Sequence, residues 1–574
     1  YEIEKCIHIA KTGRPGPVLI DLPDDIQRMN VEVKKQRAYV PKSLNKKKIT
    51  NHKKIEKLIK NSKRPIIIVG GGVKISDTGN QLIKLINQFR IPYALTWATA
   101  DIFNNNSELD IGTFGNYATR HGNFAIQNSD LLIILGSRLN GTQIGSNPNL
   151  FAPKAKKILV DIDPAELKEE NGLKIDCKIN SDLKHFMKIF LNQAKKFKID
   201  KMWYKAIIDW KNKYPIINDK MKDAQRYVNP YIFFEKLSEA CDENDIIIPD
   251  ASANLVWCFQ TFKPKKNQKI FTALNHSPMG YSIAASIGAS LGSPKKKVLA
   301  IIGDGSVQMN IQEIENIKHL KLPIKIFIIN NNGYGMIKQT INTWMKGKYV
   351  GCDLKSGLSL PDFKKVSNAY GIQSTEINNH NDLHEKIEYV LKFKGPIVCD
   401  VQLEHDQQII PKVKSGSPIH DMLPYLDKKE KLIQINKSNK NSKREGGNRH
   451  NRMRTINNSP ILLKKESERL LKTLRQQQQD EEDLIDAIVK EEIDGDAYED
   501  DDFEEEITPK SINSEFSPPR VIITQGKSNG IRSPMTTSPT TINTFNDYEA
   551  YKQLSKVKKI HEVKGNSLHM MHIG

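Results

Sequence analysis

Short apolar runs alternating with amphipathic stretches organise most of this chain. Residues 298–302 form a continuous apolar run and 324–329 an apolar run broken only by Lys325, both of strand length, the pattern of strands buried on both faces of a parallel sheet. Between them Ile311, Ile314, Ile317 and Leu320 recur at helical spacing, which predicts a helix with one apolar face. Strand, helix and strand make a βαβ unit, and such crossovers are right-handed in nearly all proteins. Residues 50–190 repeat the alternation. Runs at 65–69, 131–135 and 158–162 read as strands between helical patterns, so a second parallel sheet covered by helices is expected. Residues 1–28 predict helix, loop and strand, with Gly13-Arg14-Pro15-Gly16-Pro17 as the loop and residues 18–22 as the strand.

Beyond Tyr425 the pattern changes. Residues 428–454 are basic and Asn-rich, 459–492 read as one long helix, and 491–506 are acidic. Thr508-Pro509, Ser517-Pro518, Ser533-Pro534 and Ser538-Pro539 punctuate the remainder. This stretch lacks the apolar content to fold alone and reads as a disordered interaction tail.

At 574 residues the chain is too long for one core and long enough for two or three domains. It opens on Tyr1 rather than Met and is expected to be part of a longer protein. No run approaches the roughly 18 apolar residues of a membrane span. The 6 cysteines are scattered without metal-ligand spacing, which suits reduced packing residues of a cytoplasmic protein. Lys and Arg number 87 against 67 Asp and Glu, a formal charge of +20. The lysines are spread along the chain, so a solvated basic surface is expected rather than a nucleic-acid site.

The chemistry concentrates in two strings that follow the first two runs: Gly303-Asp304-Gly305-Ser306 and Asn330-Asn331-Asn332-Gly333. Both fall at carboxyl ends of parallel strands, where α/β sheets bind ligands. The Asp304 carboxylate, the Asn331 amide oxygen and the Gly333 carbonyl are hard oxygen donors suited to Mg²⁺, which completes its octahedron with water and substrate phosphates. The glycines admit close backbone approach, and the following helix N-terminus offers N–H groups to an anion. A lone Gly-Asp-Gly would be a surface turn; the second string at its interval argues against that. Gly70-Gly71-Gly72, after the 65–69 strand, is a tight turn that fits neither a Gly-x-Gly-x-x-Gly fingerprint nor a P-loop.

The paired strings resemble the thiamin-diphosphate motif, and residues 1–425 resemble the acetolactate synthase-like family. The resemblance rests further on Gly70-Gly71-Gly72-Val73, Leu135-Gly136-Ser137-Arg138-Leu139, Asp161-Ile162-Asp163-Pro164, the segment from Asp250 to Trp257 and Ser277-Pro278-Met279-Gly280-Tyr281. It implies an α/β chain of two doubly wound parallel-sheet domains with the disordered tail appended. The expected divisions are 1–48, a remnant of the pyrimidine-binding domain and linker; 49–195, the middle domain; 196–427, the diphosphate-binding domain; and 428–574, the tail. The resemblance implies thiamin diphosphate and Mg²⁺ as cofactors and leaves FAD open for the middle domain. Gly303, Asp304, Gly305, Ser306, Asn331, Ser277, Met279, Asn254 and Met336 are implied cofactor contacts. Backbone oxygens of Ser277 and Met279 would hold the aminopyrimidine, and the Met279 side chain would prop the bent cofactor; ordinary core filling is its alternative. The activating Glu of the family lies in the pyrimidine-binding domain of a partner subunit, so a homodimer or homotetramer is implied, and residues 1–574 alone are expected to be inactive.

The implied reaction is decarboxylation of a 2-oxo acid, pyruvate, with carboligation to a carbonyl acceptor. Two departures bear on the acceptor. Ala253-Asn254-Leu255 stands where acetohydroxyacid synthases carry Gln-His-Gln, and Thr340 stands where they carry a Trp that selects the acceptor. Trp344, one helical turn on, is placed to refill part of that space. These departures, with residues 332–339 and 357–363, look more like homologues of nucleotide-sugar pathways, some of which transfer an acyl unit to a keto-sugar. The reading from a different class is a catalytically silent scaffold with a basic interaction tail.

Overall fold

The computed structural model describes residues 1–41, 49–103, 107–168, 172–223, 226–274 and 276–440. The long helix expected at 459–492 and the rest of the tail from 441 lie outside them.

Two six-stranded, all-parallel sheets dominate. The first contains β1 (Pro65–Val69), β2 (Tyr93–Leu95), β3 (Asp110–Thr113), β4 (Leu131–Leu135), β5 (Lys156–Asp161) and β6 (Cys177–Asn180). Its order is β3-β2-β1-β4-β5-β6, so the winding reverses between β1 and β4. The second contains β7 (Ile246–Pro249), β8 (Lys269–Ile270), β9 (Val298–Gly303), β10 (Lys325–Asn330), β11 (Gln373–Ile377) and β12 (Ile397–Gln402). Its order is β11-β12-β10-β9-β7-β8, with the reversal between β7 and β9. Crevices for ligands open at such reversals, outside the carboxyl ends of the strands.

The strand alternation explains why both sheets are covered twice. Ile67 and Val69 of β1 face one apolar cluster while Ile66 and Ile68 face another. Phe327 and Ile329 of β10 likewise oppose Ile326 and Ile328. Successive side chains point to opposite faces, so an unbroken apolar run demands helices on both sides. The α/β class and the doubly wound sheets therefore follow as expected.

Glycine decides how closely the first sheet's loops meet. A Cβ on Gly72 would lie 2.8 Å from the Cα of Gly136, and one on Gly70 would strike the Gly136 carbonyl. The Gly70-Gly71-Gly72 turn is thus explained by backbone meeting backbone at the β1/β4 reversal.

Three local expectations need correction. Residues 18–22 form no strand: Leu19 is 87% exposed and Ile20 45%. A strand needs a neighbour for its backbone groups, and none of the described strands lies beside this one. The crossover helix between β9 and β10 is shorter than its pattern, Glu313–His319, preceded by one turn at Asp304–Val307. Ile314 and Ile317 are buried, but Leu320 is exposed because the chain has already left the helix. Lastly, the chain stays packed beyond Asp427. A helix over Lys428–Lys440 accepts the Trp210 indole N–H on Gln434 Oε1 at 2.8 Å, and Glu430 accepts the Tyr214 hydroxyl and pairs with Lys213. Its polarity reads as tail, but the partners it satisfies are distant in sequence.

Deleting this helix should leave the buried indole N–H without an acceptor, a loss of about 1–3 kcal/mol. A chain ending at Asp427 should melt roughly 2–10 °C below one ending at Lys440, as scanning calorimetry would read. Equal midpoints would show the helix to be an ornament.

Candidate functional site

Asp304 directly follows β9 and is buried. Its Oδ1 accepts the Gly305 N–H at 2.7 Å, and its Oδ2 accepts those of Asn331 at 3.1 Å and Gly333 at 3.0 Å. The two strings predicted to act together are therefore bound to each other through one carboxylate. Burial raises the Asp304 pKa to about 6, against the opposing pull of these N–H groups. No cationic side chain among the described residues forms an ion pair with it.

Asn331 supplies the second donor. It is buried, and its Nδ2 has no hydrogen-bond partner. The nitrogen and oxygen of such an amide exchange by a half-turn; the bare position then carries an oxygen, as a cation requires. The Gly333 carbonyl, expected free, accepts the Gly335 N–H at 3.0 Å and keeps its second lone pair. The set of one carboxylate, one amide and one carbonyl thus fits Mg²⁺. Among the described residues no group of three His, Cys, Asp or Glu side chains could hold a metal ion.

A cavity of about 1080 Å³ spans the carboxyl ends of the two sheets. Gly71, Gly136 and Arg138 stand at the end nearest the first sheet; Ser252, Ser277 and Met336 stand at the end nearest the second. Gly303, Asp304, Gly305, Ser306, Asn331 and Gly333 do not line it. The Tyr334 ring covers Gly305: a Cβ there would lie 2.8 Å from Tyr334 Cδ1 and closer still to Cε1.

The remaining expected contacts divide. Ser277 and Met336 line the cavity; Ser277 holds a positive φ of 38° and bonds its hydroxyl to the Leu274 carbonyl. Met279 is half-buried and does not line the cavity. Asn254 is buried beside Gly303, yet its amide is committed to the local turn, accepting the Asp250 N–H at 3.2 Å and donating to the Ala251 carbonyl at 2.7 Å. Thr340 is exposed and donates to the Met336 carbonyl at 2.9 Å. Trp344 is 53% exposed beneath Lys414, so it does not refill the space near Met336 as expected; its helix turns it to the surface.

Several working residues escaped the sequence reading. Fully buried Asp250 accepts the Gly280 N–H at 3.2 Å and the Ser282 N–H at 2.8 Å, tying the Ser277–Gly280 segment to the end of β7. A carboxylate directly after an apolar strand was its available signal. Buried Lys338 donates to the His405 carbonyl at 2.8 Å and pairs with Asp406 at 2.8 Å, while Gln339 bonds both ways to Ile409, clamping the Gly335–Trp344 helix to the loop after β12. Arg14 pairs with Asp163 at 3.0 Å and Glu166 at 2.6 Å, holding the first loop against the end of β5 and onto the cavity wall.

Residues 52–189 match the family model described as the thiamine pyrophosphate enzyme central domain, and residues 250–401 match its C-terminal TPP binding domain. The chain is similar to the acetolactate synthase large subunit of Porphyra purpurea, 30% identical over 429 residues, covering 73% of this chain and 71% of the relative. It is 30% identical over 439 residues to the corresponding subunit of Cyanidium caldarium, covering 73% and 72%. Acetolactate synthase 1, chloroplastic, of Nicotiana tabacum is 30% identical over 436 residues, covering 73% and 64%.

Proposed function

From the premise that this chain belongs to the thiamin-diphosphate-dependent, acetolactate synthase-like enzyme family, we propose that it decarboxylates pyruvate with Mg²⁺ as the diphosphate anchor and passes the two-carbon unit to a bulky carbonyl acceptor. Decarboxylation and carboligation of a 2-oxo acid is the family's chemistry; the metal, the donor and the acceptor are our reading. The observation that carries it is the buried Asp304 carboxylate, without a cationic partner among the described residues, bonded to the N–H groups of the Asn331 loop.

Asp304, Asn331 and the Gly333 carbonyl would hold the Mg²⁺, and the Gly303–Ser306 turn would face the diphosphate. Bound thiamin diphosphate supplies a nucleophilic carbon and an electron sink for decarboxylation. Ser277 and Met336, which line the cavity, would flank the reacting end, and apolar side chains of the same wall, Leu255 and Val256 among them, would exclude water. A Glu of a partner subunit's pyrimidine-binding domain would move the activating proton, a general acid–base contribution of about 10²–10⁴-fold; the active unit is then at least a homodimer. The end of the cavity at Gly71, Gly136 and Arg138 suits a nucleotide, and FAD stays open there. We retain the cytoplasm as its compartment on six free, buried cysteines. Among the described residues no helix is long and apolar enough to cross a membrane.

The acceptor reading rests on Thr340 standing where the family's acceptor-selecting Trp would be, although the Thr340 side chain is exposed and does not line the cavity in this chain. In the longer parent protein, pyruvate alone should give acetolactate slowly, and Thr340→Trp should raise acetohydroxyacid formation at the expense of a nucleotide-linked keto-sugar acceptor. Product analysis decides: rapid acetolactate from the unmodified protein would return it to small 2-oxo acid acceptors.

A further inference from the structure

A second buried carboxylate stands behind the metal strings, outside the functional reading above. Asp400 lies in β12 and is 6% exposed. Both its oxygens accept from Asn330 Nδ2, at 3.1 and 3.3 Å. The register explains the reach: Asp400 pairs with Ile328 of β10, and Asn330, two residues on, is its diagonal neighbour on the same face. At the other end of its amide, Asn330 Oδ1 accepts the Asn332 N–H at 3.1 Å.

The loop that would grip the cation is therefore held at every backbone N–H. Those of Asn331 and Gly333 go to Asp304, and that of Asn332 goes to Asn330. Asn332 sits at a left-handed φ of +53°, a conformation that asparagine adopts more readily than most non-glycine residues, and this bond fixes the turn there. An amide alone can turn either end toward Asn332. A carboxylate accepts only, so Asp400 forces the Asn330 nitrogen toward itself and the oxygen toward the loop. Other charges near Asp400 are Asp304, Asp362 and Glu376, the last directly opposite on β11 and paired with Lys364 at 2.6 Å. None of them takes the place of the Asn330 bond.

We propose that Asp400 is a positioning residue for the metal loop, acting through Asn330 to preset Asn331 and Gly333 for the cation. The proposal rests on the Mg²⁺ reading above. Groups that orient metal ligands in this way are worth about 10–100-fold in metal affinity when removed.

The test is calorimetry of thiamin diphosphate binding to the full chain over a series of Mg²⁺ concentrations, read as the concentration giving half-maximal binding. Asp400→Val should raise it about 10–100-fold, and Asn330→Ala should do the same. The double variant should exceed Asn330→Ala by less than about twofold, because the two residues act in series. If Asp400→Val does not fold, Asp400→Asn replaces it with the same criterion and a smaller expected rise of about 3–10-fold, since its amide can also donate and so frees Asn330 to turn. An unchanged Mg²⁺ requirement overturns the proposal alone, as do additive losses in the double variant. Cofactor binding by the unmodified chain that ignores Mg²⁺ overturns the metal reading and this proposal with it.

Discussion

Asp304→Ala is expected to abolish Mg²⁺-dependent binding of thiamin diphosphate while leaving the two sheets folded. The carboxylate is the one charged donor in the set, and it also gathers the N–H groups of Gly305, Asn331 and Gly333. Each hydrogen bond to a charged group is worth about 1.5–3 kcal/mol, so losing cation and loop order together should cost at least about 100-fold in affinity. Calorimetry with and without Mg²⁺ would measure this; equal affinity for variant and parent would sink the assignment. The pH dependence gives a second reading of the same residue. Burial raises Asp304 to about 6 in the metal-free chain, above the roughly 3.9 of an unfolded aspartate. Between those values the folded chain holds the extra proton, so this residue's contribution to metal-free stability falls as pH rises through that window. A cation needs the ionised form. The rise in melting temperature given by Mg²⁺ with thiamin diphosphate should therefore be small near pH 5 and complete near pH 7.5. The same rise at both would contradict it.

Gly305→Ala should destabilise the site by a different route, through volume. The added methyl would meet the edge of the Tyr334 ring, with Cδ1 at 2.8 Å and Cζ at 3.2 Å. Several ring atoms are involved, so a small tilt does not relieve the collision. Overpacking of this kind costs about 1–3 kcal/mol, and the shift would fall on the turn that carries Asp304. Denaturant midpoints should drop accordingly, with weaker cofactor binding. Tyr334→Ala in the same chain should restore most of the midpoint, whereas Tyr334→Phe, which keeps the ring, should not. Failure of the ring-removing variant to rescue would show that Gly305 matters for its backbone and not for its missing side chain.

How far each feature could be read in advance follows from how local its cause is. Apolar runs such as Pro65–Val69 and Leu131–Leu135 appear as strands with unchanged bounds, because burial on both faces is written residue by residue. Gly303-Asp304-Gly305 and Asn330-Asn331 announced themselves because strand ends and glycine turns are also local. The 18–22 segment failed because a strand exists only beside another. The Lys428–Lys440 helix was missed because its polar sequence hides the partners that hold it, Trp210 and Tyr214, more than two hundred positions earlier.

The sequence by itself determined the α/β class, the two repeated βαβ patterns, the family and the pairing of an acidic string with an amide string, since each rests on neighbours along the chain. Only the tertiary structure decided that Asp304 binds the far loop through backbone N–H groups, that Tyr334 covers Gly305, that Thr340 and Trp344 face outward, and that Asp400 stands behind Asn330. Strand order and register set those meetings, and a side chain's partner across a sheet lies at no fixed distance in sequence.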